Sequence, residues 1–181
     1  MARDVRVWRR GSGGPPLAFG ARGTAERPIR CAALEPQSAS ELATPERRIL
    51  VPRTIQLAAS FPASPDRLFD MYLDPDEHAA FTGAPVTISA QPGTPFRAFN
   101  DVLSGTMLQV VPKRLIVQSW RSPHWDPLDL DSTLILTFLP EGDGGRIELV
   151  QVNVVDEDFA GVSQGWEKFY WSPWRAYLAR E

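Results

Sequence analysis

The fold class is decided by residues 158–178, which read DFAGVSQGWEKFYWSPWRAYL. The apolar residues of this stretch recur at steps of three, four and one, which is typical of one face of a long amphipathic helix. They are Phe159, Val162, Trp166, Phe169, Tyr170, Pro173, Trp174, Tyr177 and Leu178. Such a helix needs an apolar surface of matching length, and the strand-rich chain before it is the only candidate. Because Pro173 removes one backbone hydrogen bond, we expect a kink that lets the helix follow a curved sheet.

Upstream of this helix, strand patterns alternate with turn signals. Two short helices are predicted after the first strand, over about 65–72 and from Pro75 to near Phe81, because Ser64 and Asp74 are N-caps followed directly by proline. Strands are predicted at 54–61, 86–89, 95–99, 104–111, 115–121, 132–139 and 146–154. Strands grouped in a run, with helices on one face, predict an α+β fold rather than an α/β fold.

Composition indicates one globular domain after a basic leader. The composition, 43% hydrophobic and 23% charged, is ordinary for a globular protein. The length of 181 residues suits one domain with a well-buried core and is too short for two ordinary domains. Residues 1–53 carry ten arginines against five acids, whereas residues 54–181 carry nine basic residues against seventeen acids. Glycines and prolines interrupt any helical or strand periodicity in residues 1–53, so we expect a disordered leader there. Alternatively, this segment is spurious because the start of the sequence was assigned too far upstream. An acidic body argues against nucleic-acid binding.

The sequence offers little support for a metal site, a cofactor or a membrane span. Cys31, His78 and His124 are the only soft ligands, so no metal and no cofactor are expected, and His78 is expected at the surface. A single cysteine excludes an intramolecular disulfide and suits a reducing compartment. Because no run of about eighteen apolar residues occurs, we expect a cytoplasmic protein without a membrane span.

Five segments carry a resemblance to a known superfamily. They read FPASPDRLF (61–69), HAAFTGAP (78–85), VPKRLIVQSWR (111–121), LILTF (134–138) and GWEKFYW (165–171). In these segments and in the order of its elements, the chain resembles the START-like, helix-grip superfamily (SRPBCC), which includes the Bet v type allergens. Within it, residues 54–181 resemble the C-terminal domain of the activator of the heat-shock protein 90 ATPase and its stand-alone bacterial relatives.

The resemblance implies a curved antiparallel sheet of about six to seven strands wrapped around the long C-terminal helix, with a cavity between them. It also implies a chaperone-associated or stress role. It does not extend over residues 1–53. The eukaryotic activator makes much of its chaperone contact through a separate N-terminal domain, which has no counterpart in the matching residues, and this weakens the expectation of chaperone stimulation.

Several apolar side chains are candidates for the lining of that cavity. They are Trp120, Trp125, Leu136, Phe138, Trp166, Phe169, Tyr170 and Trp174. Apolar and aromatic side chains are typical of ligand sites, but a domain of this size also needs them to fill its core, and core packing is the plainer interpretation for most. Trp125 is the exception, because it lies in the Pro/Asp-rich loop 122–131, which could form a lid or rim.

Two amides are predicted to face inward near the cavity. Gln151 and Asn153 alternate with Leu149 along one strand, and alternate residues share a face. Buried amides need hydrogen-bond partners. These two either orient the polar end of a ligand or bond each other, a water molecule or neighbouring backbone groups.

Two polar residues are placed at the cavity mouth. Arg121, at the end of its strand, could meet an anionic ligand, although a salt bridge to Glu148 or to a loop aspartate is the plainer interpretation. His124 lies beside three aspartates in the loop 122–131, where a metal or acid–base site could form, although solvated loop residues explain the pattern equally well.

Three functional hypotheses remain, and no catalytic residue is assigned. The first is non-catalytic binding of a hydrophobic or amphipathic small molecule, such as a lipid, by a monomer or a homodimer. The second is a co-chaperone acting on heat-shock protein 90, with the acidic helix 74–81 as its interaction surface. The third is a polyketide cyclase or aromatase-type enzyme, a class that also uses this fold and would require Gln151 and Asn153 deep in an open cavity.

Overall fold

A seven-stranded antiparallel sheet carries the fold of residues 53–180, which are the residues that the computed structural model describes. The strands are β1 (Arg53–Phe61), β2 (Val86–Thr87), β3 (Pro95–Ala98), β4 (Leu103–Val111), β5 (Leu115–Trp120), β6 (Ser132–Glu141) and β7 (Gly144–Val154). Their order in the sheet is β1-β7-β6-β5-β4-β3-β2. The predicted α+β helix-grip fold is confirmed. The predicted leader lies outside the described residues, apart from Arg53.

Two short helices follow β1, as predicted. They are α1 (Pro65–Leu73) and α2 (Pro75–Thr82). Asp74 caps α2, because its Oδ1 accepts hydrogen bonds of 2.9 Å from the N–H groups of Asp76 and Glu77. Gly83 ends the helix in the left-handed conformation, with φ 74°.

The C-terminal helix (159–178) is continuous but not uniform. It contains α3 (Phe159–Gly165), a π segment (Trp166–Trp171) and α4 (Ser172–Leu178). The N–H of Ser172 donates to the carbonyl of Glu167, five residues back. This wider turn lets the adjacent residues Tyr170 and Trp171 both be buried. The kink at Pro173 stays a prediction, and the observed irregularity is the π segment that ends directly before α4.

The inner face of the sheet supplies alternate buried residues until a bulge interrupts β7. Ile147, Leu149 and Gln151 are fully buried in regular alternation. Asn153 then adopts a positive φ of 62°, and Val154 takes the next buried position. The expectation that Asn153 shares the inward face of Gln151 is wrong, because one extra residue in a strand changes the face of everything after it.

Within residues 53–180, none of the helices combines the length and the apolar character needed to cross a membrane.

Candidate ligand cavity

A cavity of about 340 Å³ lies between the C-terminal helix and one end of the sheet. Its size falls in the lower part of the range of about 300–1,000 Å³ that is usual for small-molecule sites. Val102 and Phe169 are each 48% exposed, so the cavity opens to solvent beside them. The lining is mainly apolar and consists of Phe99, Val102, Leu103, Trp120, Ser122, Asp158, Gly161, Val162, Gly165, Trp166, Phe169 and Tyr170.

One face of the C-terminal helix forms a wall of this cavity. Its lining residues, at 161, 162, 165, 166, 169 and 170, follow helical spacing, and Asp158 lines the cavity directly before the helix begins. Gly161 and Gly165 lie one turn apart on this face. A Cβ built on Gly161 would lie 2.9 Å from Oδ1 of Asp158, so the space for a side chain is beside Gly165. A Cβ built on Gly165 would meet Cδ2 of Phe169 at 3.8 Å, an ordinary contact. Because a glycine inside a helix costs about 0.5–1 kcal/mol relative to alanine, Gly165 leaves this space at the expense of stability.

The opposite wall contains a pair of tryptophans. Trp120, at the end of β5, lines the cavity, and Trp125 packs behind it with ring centroids 5.6 Å apart. The Nε1 of Trp125 donates to Oδ2 of Asp158 over 2.8 Å. This bond ties the loop 122–131 to the residue that precedes α3. Trp125 thus holds the loop as a fixed wall one layer behind the cavity.

Arg121 organises the same loop from within. Its guanidinium donates to the carbonyls of Asp126 (2.5 Å) and Asp129 (2.8 Å) and forms an ion pair with Asp131 (3.0 Å). The predicted salt bridge to a loop aspartate is confirmed, and Arg121 is not among the residues that line the cavity. His124 is exposed on the loop. Among residues 53–180, no group of three His, Cys, Asp or Glu side chains is arranged to hold a metal ion.

A chain of buried hydrogen bonds connects the two tryptophans of the lining. Nε1 of Trp166 donates to Oε1 of Gln151 over 2.9 Å, and Nε2 of Gln151 donates to Oγ of Ser132 over 2.9 Å. The Ser132 hydroxyl then donates to the carbonyl of Trp120 over 2.8 Å. Gln151 is therefore satisfied by side chains and orients Trp166. Asn153 donates instead to the carbonyl of Asp131 over 3.1 Å.

The third wall is a backbone turn with an unusual conformation. Phe99, Asn100 and Asp101, between β3 and β4, all have positive φ, at 55°, 57° and 64°. Asn and Asp tolerate this region, but a left-handed conformation costs a residue such as Phe99 about 1–2 kcal/mol. The turn places the Phe99 ring edge-on to Phe169 (6.1 Å) and Tyr170 (5.6 Å). The strained turn therefore places an aromatic side chain in the wall of the cavity.

Two polar atoms of the lining residues have no hydrogen-bond partner within residues 53–180. They are the Tyr170 hydroxyl and Nε1 of Trp120, on side chains that are 3% and 5% exposed. An unsatisfied buried donor costs about 1–3 kcal/mol. Burial also raises the pKa of Tyr170 well above its usual value, so the hydroxyl keeps its proton at neutral pH. Both atoms have almost no accessible surface, so these two donors lie within the packing around the cavity rather than on its surface.

Behind Tyr170 lies a buried polar cluster that does not reach the cavity lining. His78 is fully buried, against the expectation of a surface position, because α2 turns it between the rings of Tyr72 and Phe81. Its Nδ1–H donates to the carbonyl of Tyr72 over 2.7 Å. Burial lowers the pKa of His78 to about 4, so the ring is neutral at pH 7. The Tyr72 hydroxyl in turn donates to Oε1 of Gln118 over 3.3 Å.

The candidates from the sequence thus separate into three groups. Trp120, Trp166, Phe169 and Tyr170 line the cavity. Trp174, Leu136 and Phe138 are buried in the core away from it. The remaining candidates support or flank the site: Trp125, Gln151, Asn153, Arg121 and His124. Because Gln151 and Asn153 are both absent from the lining, the polar pair that a cyclase-type enzyme would need there is not in the cavity.

Sequence reasoning missed the glycines and the turn residues of the lining. Gly161 and Gly165 are separated by one helical turn inside a strong helix pattern, and this spacing was an available signal, since glycine is disfavoured there. Phe99, Val102 and Leu103 carried no comparable signal. Their position depends on three successive positive φ angles, which the residue types do not predict.

Comparison with known proteins identifies the relatives of this fold. Human "Activator of 90 kDa heat shock protein ATPase homolog 1" is 28% identical over 116 residues, which cover 64% of this chain and 34% of the human protein. The Dictyostelium discoideum homologue is 26% identical over 117 residues, covering 64% of this chain and 30% of its own length. The chain thus spans about a third of the length of these curated relatives.

A solved structure of an HSP90 activator from Plasmodium falciparum superposes with a TM-score of 0.63 at 16% identity. The superposition covers 70% of this chain and 96% of the activator chain, and at this identity it supports the fold alone. The family described as "Activator of Hsp90 ATPase homolog 1-like protein" matches residues 62–179. Since this match spans more than half of the sequence, the chain belongs to the Activator of Hsp90 ATPase homolog 1-like protein family.

Proposed function

We propose that this protein binds a small, mainly apolar ligand in the cavity between the C-terminal helix and the sheet. The observation that carries the proposal is a cavity of about 340 Å³ on the face of a helix, beside Gly165, which leaves room where another residue would place a side chain. Alanine at position 165 would favour the helix. Natural proteins accept such local costs at functional sites, where an optimal core would remove the function.

The binding role divides among the residues described above. Trp120, Trp166, Phe169 and Tyr170 supply the contact surface, and the burial of aromatic area supplies most of the affinity. Gln151 positions Trp166 through the hydrogen bond to its indole. Ligand binding of this kind needs no nucleophile or general base, and none of these residues is assigned a catalytic role.

The proposal is tested by native mass spectrometry of the full chain purified from its natural host, followed by denaturing analysis of any released molecule. A co-purifying apolar molecule at a ratio near one to one is the expected result. The Gly165→Leu variant should lose this molecule, because the new side chain occupies the cavity. Gln164→Leu is the matched control, since residue 164 is exposed on the neighbouring helix face. Retention of the molecule by Gly165→Leu would contradict the proposal.

A second candidate function is regulation of the heat-shock protein 90 ATPase. It is favoured by the family match over residues 62–179 and by the curated relatives, whose names state that activity. The proposed contact surface is the acidic first turn of α2, where Asp76 is exposed and Glu77 forms an ion pair with Arg67 over 2.5 Å. The expected result is faster ATP turnover when the full chain is added to the chaperone of the same organism, and a smaller increase with Asp76→Lys. Unchanged turnover with the unaltered chain would exclude this function.

We also infer that residues 54–181 form the functional domain. We further infer that the protein acts in the cytoplasm, because a protein that regulates the heat-shock protein 90 ATPase would share a compartment with that chaperone. Fractionation of the natural host, with detection of the full chain, tests the location. Recovery of the protein outside the cytoplasmic fraction would contradict it.

A further inference from the structure

The cavity lining combines aromatic rings with one carboxylate. The carboxylate is that of Asp158, and the rings are those of Phe99, Trp120, Trp166, Phe169 and Tyr170. We infer that the ligand is a small apolar amine, bound in its protonated form, whose ammonium group pairs with Asp158 while its apolar frame packs against the rings. This inference rests on the proposed function and goes beyond it by naming the class of ligand.

One oxygen of Asp158 is available to a ligand. Oδ2 accepts a hydrogen bond of 2.8 Å from Nε1 of Trp125. Oδ1 accepts none within residues 53–180, and it is not among the buried side-chain atoms that lack a partner there, so it is accessible. It also lies beside Gly161, another lining residue, since a Cβ built on that glycine would be 2.9 Å from Oδ1. The side of Asp158 that faces this glycine is therefore open to a hydrogen-bond donor.

The charges around the cavity favour a cation over an anion. Among the described residues that line it, none is Lys, Arg or His. Arg53 and Arg121 are each engaged in an ion pair with another acid. Residues 54–181 carry nine basic residues against seventeen acids, and a negative field attracts cations. An anionic ligand would instead lose water close to Asp158 without gaining a cation.

The aromatic rings suit a cationic ligand as well as an apolar one. An aromatic face attracts a cation in addition to supplying apolar contact area. One ring of the lining already has such a contact, because Nζ of Lys168, which is exposed and lies outside the lining, is 4.9 Å from the centre of the Phe169 ring. Asp158 is only partly buried, so an ammonium group paired with it keeps part of its hydration, which reduces the cost of desolvation.

Three probes with one common frame test the inference: 2-aminotetralin, 2-methyltetralin and tetralin-2-carboxylate. They carry a cationic, a neutral and an anionic group at the same position at neutral pH. Their affinities for the full chain are measured at low salt by tryptophan fluorescence, since Trp120 and Trp166 line the cavity. The amine should bind about tenfold more tightly than the methyl compound, which is the gain expected from a hydrogen bond to a charged group. The carboxylate should bind most weakly.

Asp158→Asn assigns this preference to the carboxylate. The amide oxygen of the variant can still accept from Nε1 of Trp125, but the negative charge is lost. The amine should then bind no more tightly than the methyl compound, and an unchanged affinity for the methyl compound shows that the cavity is intact. Asp156→Asn is the matched control, because it removes the same charge from an exposed residue outside the lining, and it should retain the preference for the amine.

The outcomes separate this inference from the proposed function. Equal or tighter binding of the methyl compound by the unaltered chain would support apolar binding and overturn the need for a cationic group. Tightest binding of the carboxylate would overturn the argument from charge. Equal losses of preference in the two variants would overturn the role of Asp158, since they would assign the preference to the overall charge of the chain. Binding of none of the probes would overturn the inference, while native mass spectrometry of the co-purifying molecule would still decide the proposed function.

Discussion

The first and last segments of the C-terminal helix, α3 and α4, continue one apolar stripe but have different surroundings. In α4, Trp174 is fully buried and lies parallel to Phe81, with ring centroids 4.2 Å apart and an interplanar angle of 3°. In α3, the corresponding face carries Gly161, Val162 and Gly165 and borders the cavity. The same period of apolar positions therefore produces a filled core at one end and an open space at the other.

The difference comes from side-chain volume rather than from backbone pattern. At the α4 end, the rings of Trp171 and Trp174 pack with Phe61 at 5.8 Å and 5.2 Å. At the α3 end, Gly165 has no side chain, and the cavity lies beside it. Binary patterning specifies which face of a helix is buried, whereas the residues placed on that face determine whether the space behind it is filled.

The largest expected change in the free energy of unfolding is at the filled end of the helix, in α4. Trp174→Ala should lower the free energy of unfolding by about 3–5 kcal/mol, because it removes a large buried ring and leaves a cavity. Phe169→Ala, five residues earlier, should cost much less, since Phe169 is 48% exposed at the rim of the cavity. Equilibrium urea unfolding of the full chain measures both values. Similar losses from the two variants would mean that the two ends of the helix do not differ in packing as described.

The second prediction concerns pH, and it also tests the filled end. The pKa of His78 falls from 6.5 to about 4 in the folded protein because the ring is buried. Between these values the unfolded chain binds more protons than the folded one, so stability rises with pH. Lowering the pH from 7 to 4 should therefore reduce the free energy of unfolding by about 3 kcal/mol through this residue. Its aromatic neighbours Tyr72 and Tyr170 do not titrate in this range.

Variants of the two described histidines separate this effect from general acid sensitivity. His78→Gln should flatten the dependence of the unfolding free energy on pH between 7 and 4, even if it lowers stability overall. His124→Gln is the matched control, because it removes the other described histidine, which is exposed on the loop 122–131. Urea unfolding at several pH values supplies the measurement. An unchanged profile for His78→Gln would show that His78 is not buried in its neutral form.

Much of the fold could be predicted from sequence because it depends on short-range signals. Asp74 followed by Pro75 predicted the start of α2, and the end predicted near Phe81 lies one residue before the observed end at Thr82. Periodicity of two along β7 predicted that Leu149 and Gln151 share the buried face of the sheet. These signals act within a few residues, so they do not depend on the rest of the structure.

The candidate site could be predicted only in part, because it depends on departures from those periods. Asn153 was misplaced by a bulge, which the residue types did not reveal. His78 was misplaced because its burial depends on how α2 packs beneath the C-terminal helix. The tryptophans and Tyr170 were predicted as candidates from their size, but the sequence does not state which of several large aromatic residues borders a space and which fills one.

The smallest predicted change in the free energy of unfolding is at the open end of the helix, in α3, and it is an increase rather than a loss. Gly165→Ala should raise the free energy of unfolding by about 1 kcal/mol, because alanine favours the helix and the new Cβ meets no atom closer than 3.8 Å. Gly161→Ala should gain less, since its Cβ would lie 2.9 Å from Oδ1 of Asp158, which must move. Gly83→Ala, where φ is 74°, should instead destabilise the protein. Thermal unfolding of the three variants gives the order of their stabilities.

A loss of stability in Gly165→Ala would mean that helix packing requires this glycine. The space beside Gly165 would then be a consequence of the fold, and not a feature retained although alanine would favour the helix.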